Sequence, residues 1–348
     1  MKIHQNFTGG NIHVTAFAGN DVWVERELRD TTTDWFYWAF AVEGAEGMTL
    51  TFHFAPDRLG YWGPAVSHDL ENWHWLGQKN GDTFTYHFGE DEKRVYFAHN
   101  MLYHPTRFLR FAEEIGLKIE TLSTSLRGRE VPYVRFGEGK RKIILTARHH
   151  ACESTGSYVL EGALRELAKE PISDTEVFCV PFVDYDGVVD GDQGKNRAPH
   201  DQNRDYIEGE KSIYPEVAAI RAFADTFGCA FGIDFHSPWH IGGENDKGYV
   251  PQPSSKKKAR QDEFDLALER NLRPGAFRYQ KKWDIAPNVD WNKEENPTCG
   301  RYLLKKPDND LAFSIETAYF GEEGNVISEN AMLTLGASVA DTLREFIK

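Results

Sequence analysis

Over the first hundred residues, short apolar and aromatic runs alternate with polar punctuation. Asn11 to Phe17, Val22 to Leu28, Trp35 to Val42, Met48 to Phe54, Asp82 to Phe88 and Arg94 to Ala98 are rich in aromatic and β-branched side chains. Clusters such as Ala18-Gly19-Asn20-Asp21 and Gly89-Glu90-Asp91-Glu92 separate them. Runs of that length at that spacing predict an antiparallel β-sandwich. In Trp35-Phe36-Tyr37-Trp38-Ala39-Phe40 both strand faces carry aromatics, as expected if one face meets a neighbouring domain, with an exposed aromatic platform for sugar or peptide as the alternative.

From His104 onward the period changes. Thr106 to Ile115 reads as a helix. Ser157 to Lys169 is an amphipathic helix with Leu160, Ala163, Leu164 and Leu167 on one side, and Val217 to Phe227 is a third. Apolar strands are predicted at Lys142 to Thr146, Val177 to Val183, Ala230 to Phe235 and Leu311 to Glu316. A helix from Asn330 to Ile347 follows, with Ser328 as its cap. Strands alternating with helices predict an α/β domain on a parallel or mixed sheet. The expected layout is a β-sandwich over 1–103 and an α/β domain over 104–348.

Composition narrows the function. The 348 residues carry a formal net charge of -14, which argues against nucleic acid as a partner. The basic run Lys256-Lys257-Lys258-Ala259-Arg260 reads as a solvated loop. The N-terminus lacks a signal-like apolar stretch, and no run approaches membrane-spanning length, so a cytoplasmic protein that does not engage a membrane is expected. Cys152, Cys179, Cys229 and Cys299 form no CxxC pair and read as reduced thiols, three of them in or beside apolar strands. Oligomeric state leaves no mark on the sequence.

Candidate chemistry sits where two apolar strands stop. His150-Ala151-Cys152-Glu153 follows Ile143-Ile144-Leu145-Thr146-Ala147, and His236 ends Ile233-Asp234-Phe235. In parallel sheets, ligands bind beyond the carboxyl ends of the strands. His150 and Glu153, three residues apart, can grip one cation from a single turn, and His236 completes a three-ligand set. Such a set leaves a position for water, as catalytic zinc requires, whereas structural zinc is closed by four ligands. His149 competes with His150, but its own i+3 partner is Cys152, read as a buried thiol. Asp234 is placed to orient a ligand histidine. These residues predict a zinc hydrolase.

Five ordered motifs then carry a family resemblance. Thr146-Ala147-Arg148-His149-His150-Ala151-Cys152-Glu153-Ser154 resembles the first zinc motif of the metallocarboxypeptidases, in their cytosolic carboxypeptidase-like branch. Asp184-Tyr185-Asp186-Gly187-Val188 is similar to that family's turn, with Tyr185 where proline is common. Asp201-Gln202-Asn203-Arg204 resembles its Asn-Arg pair, Asp234-Phe235-His236 its second histidine motif, and Phe313-Ser314-Ile315-Glu316 its glutamate strand. The match spans roughly residues 116 to 320, and the β-rich segment before it resembles the extra domain of that branch.

The resemblance implies roles and a fold, a mixed-sheet carboxypeptidase-like domain after the sandwich. His150, Glu153 and His236 would hold one Zn2+. Glu316 would be the general base, Arg197 would stabilise the oxyanion with Lys195 as the alternative cation, and Asn203 and Arg204 would clamp a terminal carboxylate. Arg301 would favour an acidic terminal side chain, in a basic funnel with Arg148, Arg197 and Arg204. The tyrosine of pancreatic-type members has no counterpart at the expected spacing; Tyr279, Tyr302 and Tyr319 are the candidates. The implied activity is removal of a C-terminal, preferentially acidic residue from a peptide or protein. A deacylase of small N-acyl amino acids and a non-catalytic peptide- or glycan-binding protein are the alternatives.

Overall fold

The computed structural model describes residues 1–78, 81–240, 243–254 and 257–347. Two sheets face each other in the first hundred residues. One orders Lys2–His4, Ala39–Glu43, Arg94–Ala98, Ala65–Ser67 and His74–Trp75. The other orders His13–Ala18, Asp21–Glu25, Thr49–His53 and Thr83–His87. Phe40, Val42, Val95 and Phe97 from the first sheet, with Trp38 just before it, pack on Val22, Leu50, Phe52 and Phe84 from the second. The alternate residues Tyr37, Ala39, Ala41, Tyr96 and Ala98 enter a different core, shared with the rest of the chain. The period of two thus sends one face to the sandwich and the other to its neighbour, which accounts for the two-sided aromatic pattern.

The sandwich is not wholly antiparallel. Asp21–Glu25 pairs with Thr49–His53 in parallel. The chain between them leaves to build Ala39–Glu43 in the opposite sheet, and such a crossover returns a strand in the same direction where a hairpin cannot. The run from Trp35 to Trp38 also stops short of the ladder. Its backbone partner there is a side chain: Gln193 accepts from Tyr37 N and donates to Tyr37 O, both at 2.8 Å.

A third sheet orders Ile119–Thr124, Glu130–Phe136, Thr175–Val180, Arg141–Ala147, Phe231–His236 and Leu311–Glu316. The last four are parallel, and the first two form an antiparallel edge hairpin. Thr155–Lys169 and Glu329–Phe346 cover one face. Pro215–Phe227 and Cys299–Leu304 cover the other. The first two helices cross closely because glycines sit at the contact. A Cβ on Gly162 would come 2.0 Å from Leu333 O, and one on Gly336 would come 2.0 Å from Val159 O. Ser328 caps the last helix, accepting from Ala331 N at 3.2 Å.

One segment departs from expectation. Lys258 and Arg260 open a helix, Lys258–Arg270, and pair with Asp262 and with Glu263 and Asp310; Lys256 lies outside the described residues. Among the described residues, no helix is long and apolar enough to cross a membrane.

Candidate active site

The parallel strands stop together. Ala147 aligns with Phe235, and His236 with Glu316, so three strand ends meet at one edge of the sheet. Beyond Ala147 the chain turns sharply at Arg148, whose φ is 60°, and delivers His149 to Glu153 before the next helix begins. The Arg148 guanidinium is buried and donates to Ala151 O at 2.9 Å and Tyr103 O at 3.1 Å. It braces this turn and is absent from the cleft, so the expected basic funnel loses one member.

His150, Glu153 and His236 come together, with one candidate ligand atom from each lying within 4.8 Å of the others. His150 Nδ1 lies 3.0 Å from Glu153 Oε1, and His236 Nδ1 2.7 Å from Glu153 Oε2. Despite that proximity His150 Nδ1 is buried and makes no hydrogen bond. Buried polar atoms left this way call for another partner. The opposite nitrogens are backed by carboxylates: His236 Nε2 meets Asp234 Oδ2 at 2.6 Å, and His150 Nε2 faces Asp201 Oδ1 at 3.6 Å. This is how imidazole ligands are oriented toward a metal. Two imidazoles and a carboxylate, buried and so braced, fit a divalent cation.

Asp234 serves more than His236. Its Oδ1 accepts from Thr146 Oγ1 and meets His149 Nδ1, both at 2.8 Å, while His149 Nε2 meets the Tyr206 hydroxyl at 2.8 Å. His149 could be grouped with Asp234 and His236 as ligands. Both of its nitrogens have partners outside the His150, Glu153 and His236 set, Asp234 and Tyr206, so its place is in the frame. Burial alone would raise the Glu153 carboxyl, but His150, Lys195 and His236 outweigh burial and hold it well below the usual range.

Glu316 lines the same cleft. Its backbone is fixed on both sides: the ladder pairs it with His236, and Tyr249 exchanges two hydrogen bonds with it at 2.9 and 3.1 Å. Burial pushes its carboxyl up to about 7, against the pull of His236. The Tyr249 segment is held from behind by an acid pair. Asp284 accepts from Val250 N at 2.9 Å, and the Gln252 amide bridges Asp265 at 2.6 Å and Asp284 at 2.9 Å. Burial pushes Asp265 up to about 6 and Asp284 to about 8.

The cations divide in a way the sequence did not indicate. Arg197 is not in the cleft. Its guanidinium is enclosed by Asp184 at 2.8 Å, Asp30 at 3.1 Å, Asp192 at 3.2 Å and Gln202 Oε1 at 2.9 Å. Every nitrogen is engaged, Nε with Asp30 of the sandwich and the others within the α/β part of the chain, which corrects the oxyanion expectation. Asn196, with a φ of 49°, turns the chain between the two basic residues. Lys195 therefore enters the cleft, with its Nζ 2.7 Å from Glu153 Oε1 and 5.1 Å from the centre of the Trp35 ring.

Asn203, Arg204 and Arg301 all line the cleft. Asn203 Oδ1 accepts from Cys299 N at 3.1 Å, and its amide nitrogen lies 3.4 Å from His236 Nε2. Arg204 Nη1 is buried without a hydrogen-bond partner. Arg301 donates to two neutral acceptors, Asn296 O at 3.0 Å and Asn292 Oδ1 at 2.8 Å. Among the described residues, no carboxylate forms an ion pair with either guanidinium. Burial and the neighbouring Arg204 charge lower the proton affinity of Arg301.

None of the candidate tyrosines lines the cleft. Tyr279 bonds Asp284, Tyr302 bonds Asp225, and the Tyr319 hydroxyl is buried 3.8 Å from Cys152 Sγ. The remaining wall, Trp35, Trp239, Trp291 and Gln252 among others, went unassigned in the sequence, and the cleft holds about 300 Å³. Two-sided aromatics at Trp35 signalled a domain contact but not which ring would reach the site.

No family model matches the chain. It is 29% identical over 256 residues to an uncharacterised protein of Zymomonas mobilis, covering 68% of this chain and 67% of that one. It is 25% identical over 300 residues to cytosolic carboxypeptidase 3 of Mus musculus, covering 76% of this chain but spanning only 29% of that relative's length. A metallo-carboxypeptidase from Burkholderia cenocepacia superposes with a TM-score of 0.79 at 20% identity, over 99% of this chain and 98% of its own. The fold is that of a metallocarboxypeptidase, a class of metal-bearing hydrolases that act on peptide bonds. By sequence the chain is similar to cytosolic carboxypeptidases 2 and 3.

Proposed function

We propose that this chain is a zinc-dependent carboxypeptidase that removes an acidic C-terminal residue from peptides or proteins. In this reading residues 1–103 form the sandwich domain and 104–348 the catalytic domain, and the protein works in the cytoplasm, as the relatives' name implies. His150, Glu153 and His236 would hold one zinc ion. Bound there, zinc supplies Lewis acidity toward the scissile carbonyl and makes water acidic enough to ionise near neutrality. Glu316 takes the proton of the attacking water and passes it to the leaving amine, a transfer worth about 10²–10⁴-fold in rate. Its raised proton affinity suits that exchange near neutral pH.

The Lys195 ammonium, beside Glu153, stabilises the charge that develops on the carbonyl oxygen in place of Arg197. Asn203 and Arg204 hold the terminal α-carboxylate, and Arg301 holds the side-chain carboxylate. A guanidinium suits each task because its planar fork bonds two oxygens at once. The observation that carries the reading is two cleft guanidiniums with only neutral acceptors or none, next to a converging His-Glu-His set. A cleft that continues beyond the ligands to Trp35 and Trp239 favours a peptide over a small acylated amino acid.

The test is amino-acid release from peptides ending in Glu, Asp, Gln or Leu, with and without a chelator. Chelator-sensitive release with Glu or Asp favoured over Gln is expected. Release that ignores the chelator, or a preference for Leu, would refute it.

A further inference from the structure

We infer that Trp35 and Trp239 form the subsite for the residue preceding the scissile bond, and that this subsite takes an aromatic or large aliphatic side chain. The inference rests on the carboxypeptidase reading above and adds to it a preference at a second substrate position.

A chain of contacts orders the cleft. Asn203 reaches from Cys299, two residues before Arg301, to His236. Glu153 reaches from His236 to Lys195, and Lys195 stands over the Trp35 ring. Trp35 meets Trp239 edge to face, with ring centres 4.7 Å apart. Contacts therefore run in order from the Arg301 helix through the ligand set to the two tryptophans. A peptide whose terminal carboxylates rest on Arg204 and Arg301, with its last bond at the ligands, must lay its preceding residue toward the tryptophans.

That end of the cleft is built for apolar contact. Trp239 is 38% exposed, although the Trp35 and Phe36 rings pack on it from behind. Phe36 is in turn stacked on His240 at 4.4 Å, which fixes the pair from below. Trp35 is further oriented by its indole N–H, which donates to Cys152 Sγ at 3.3 Å. An exposed ring held between a half-buried ring and a buried one offers area at a reduced ordering cost. The cation beside this end, the Lys195 ammonium, is assigned above to the scissile carbonyl oxygen and is held by Glu153. An acidic side chain there would lose its hydration with no free described cation to replace it. A run of acidic residues should therefore be a worse substrate than one acidic residue behind an apolar one.

The experiment compares kcat/KM for N-acyl dipeptides ending in Glu with Phe, Leu, Gly or Glu before it. Phe should exceed Gly by about tenfold or more, the discrimination an apolar pocket gives, with Glu the poorest. In Trp239→Ala the Phe-to-Gly ratio should fall to about one, most of the change appearing in KM. A ratio measured on one sample is independent of how much of the variant is folded. The Phe, Leu and Gly rates in the unaltered protein test the inference even if the variant misfolds. Equal rates for all four peptides, a preference for Glu, or a ratio that survives Trp239→Ala would overturn this inference alone. Failure to cleave any of the four would overturn the carboxypeptidase reading and this inference with it.

Discussion

The His-Glu-His end and the guanidinium end of this cleft are built on different principles. At the first, every candidate ligand sits on a strand end or the turn directly after one, and each imidazole has an aspartate behind it. At the second, Lys195, Arg204 and Arg301 hang from a long loop, a single 3₁₀ turn and a six-residue helix. Sheet register places the first group. Local turn geometry decides the second, and it can exchange one cation for another two positions away. Lys195 and Arg197 are the instance, with Asn196 turning one into the cleft and the other into a cage of aspartates.

Variants can break that contrast. Glu316→Gln should cost about 10²–10⁴-fold in kcat while retaining one metal per chain, read by kinetics and elemental analysis. Metal loss in that variant would mean the strand ends are less rigid than their pairing implies. Arg197→Met removes the partner of three acids and should destabilise the fold by about 3–5 kcal/mol in urea unfolding, the range for breaking a buried ion pair. Lys195→Met should instead lower kcat with little change in the unfolding midpoint. The reverse outcome would return the oxyanion role to Arg197.

Smaller effects sharpen the picture. Asp234→Asn should weaken metal affinity about 10–100-fold in a chelator competition, and Asp201→Asn less, because its carboxylate stands 3.6 Å from His150 against 2.6 Å for Asp234 and His236. Asp265 and Asp284 give a pH test. Their folded-state proton affinities are raised by burial, so the stability they contribute is full below ordinary carboxyl values and is lost as pH rises through about 6 and then about 8. Chemical denaturation at pH 6 and pH 9 should show a larger loss in the unaltered protein than in Asp284→Asn.

Much of the His-Glu-His end was legible because apolar runs stop abruptly. Ile143 to Ala147 and Ile233 to Phe235 can only be buried strands, so the polar residues that follow must lie at their ends. The Asn203-Arg204 pair and Arg301 also lie in the cleft, where the motif order placed them. Arg197 misled because spacing along a loop does not say which way a side chain faces; a positive φ at Asn196 does, and nothing local demanded it. Two other features escaped for related reasons. The Ile119–Phe136 hairpin is an edge element, with none of its first-strand residues fully buried, so no apolar run announced it. The parallel pairing of Asp21–Glu25 with Thr49–His53 depends on where the intervening chain travels, which the pattern of either strand cannot record.

The double anchoring of Glu316 has its own consequence. With one neighbour gripping its backbone from the sheet and another from the Tyr249 side, the residue behaves as a gauge of fixed length, two methylenes from rail to tip. Aspartate in its place would stop about 1.5 Å short, one carbon–carbon bond. Neither rail can slide to restore that reach, because the smallest shift a ladder allows is one residue, and that step turns the side chain to the opposite face.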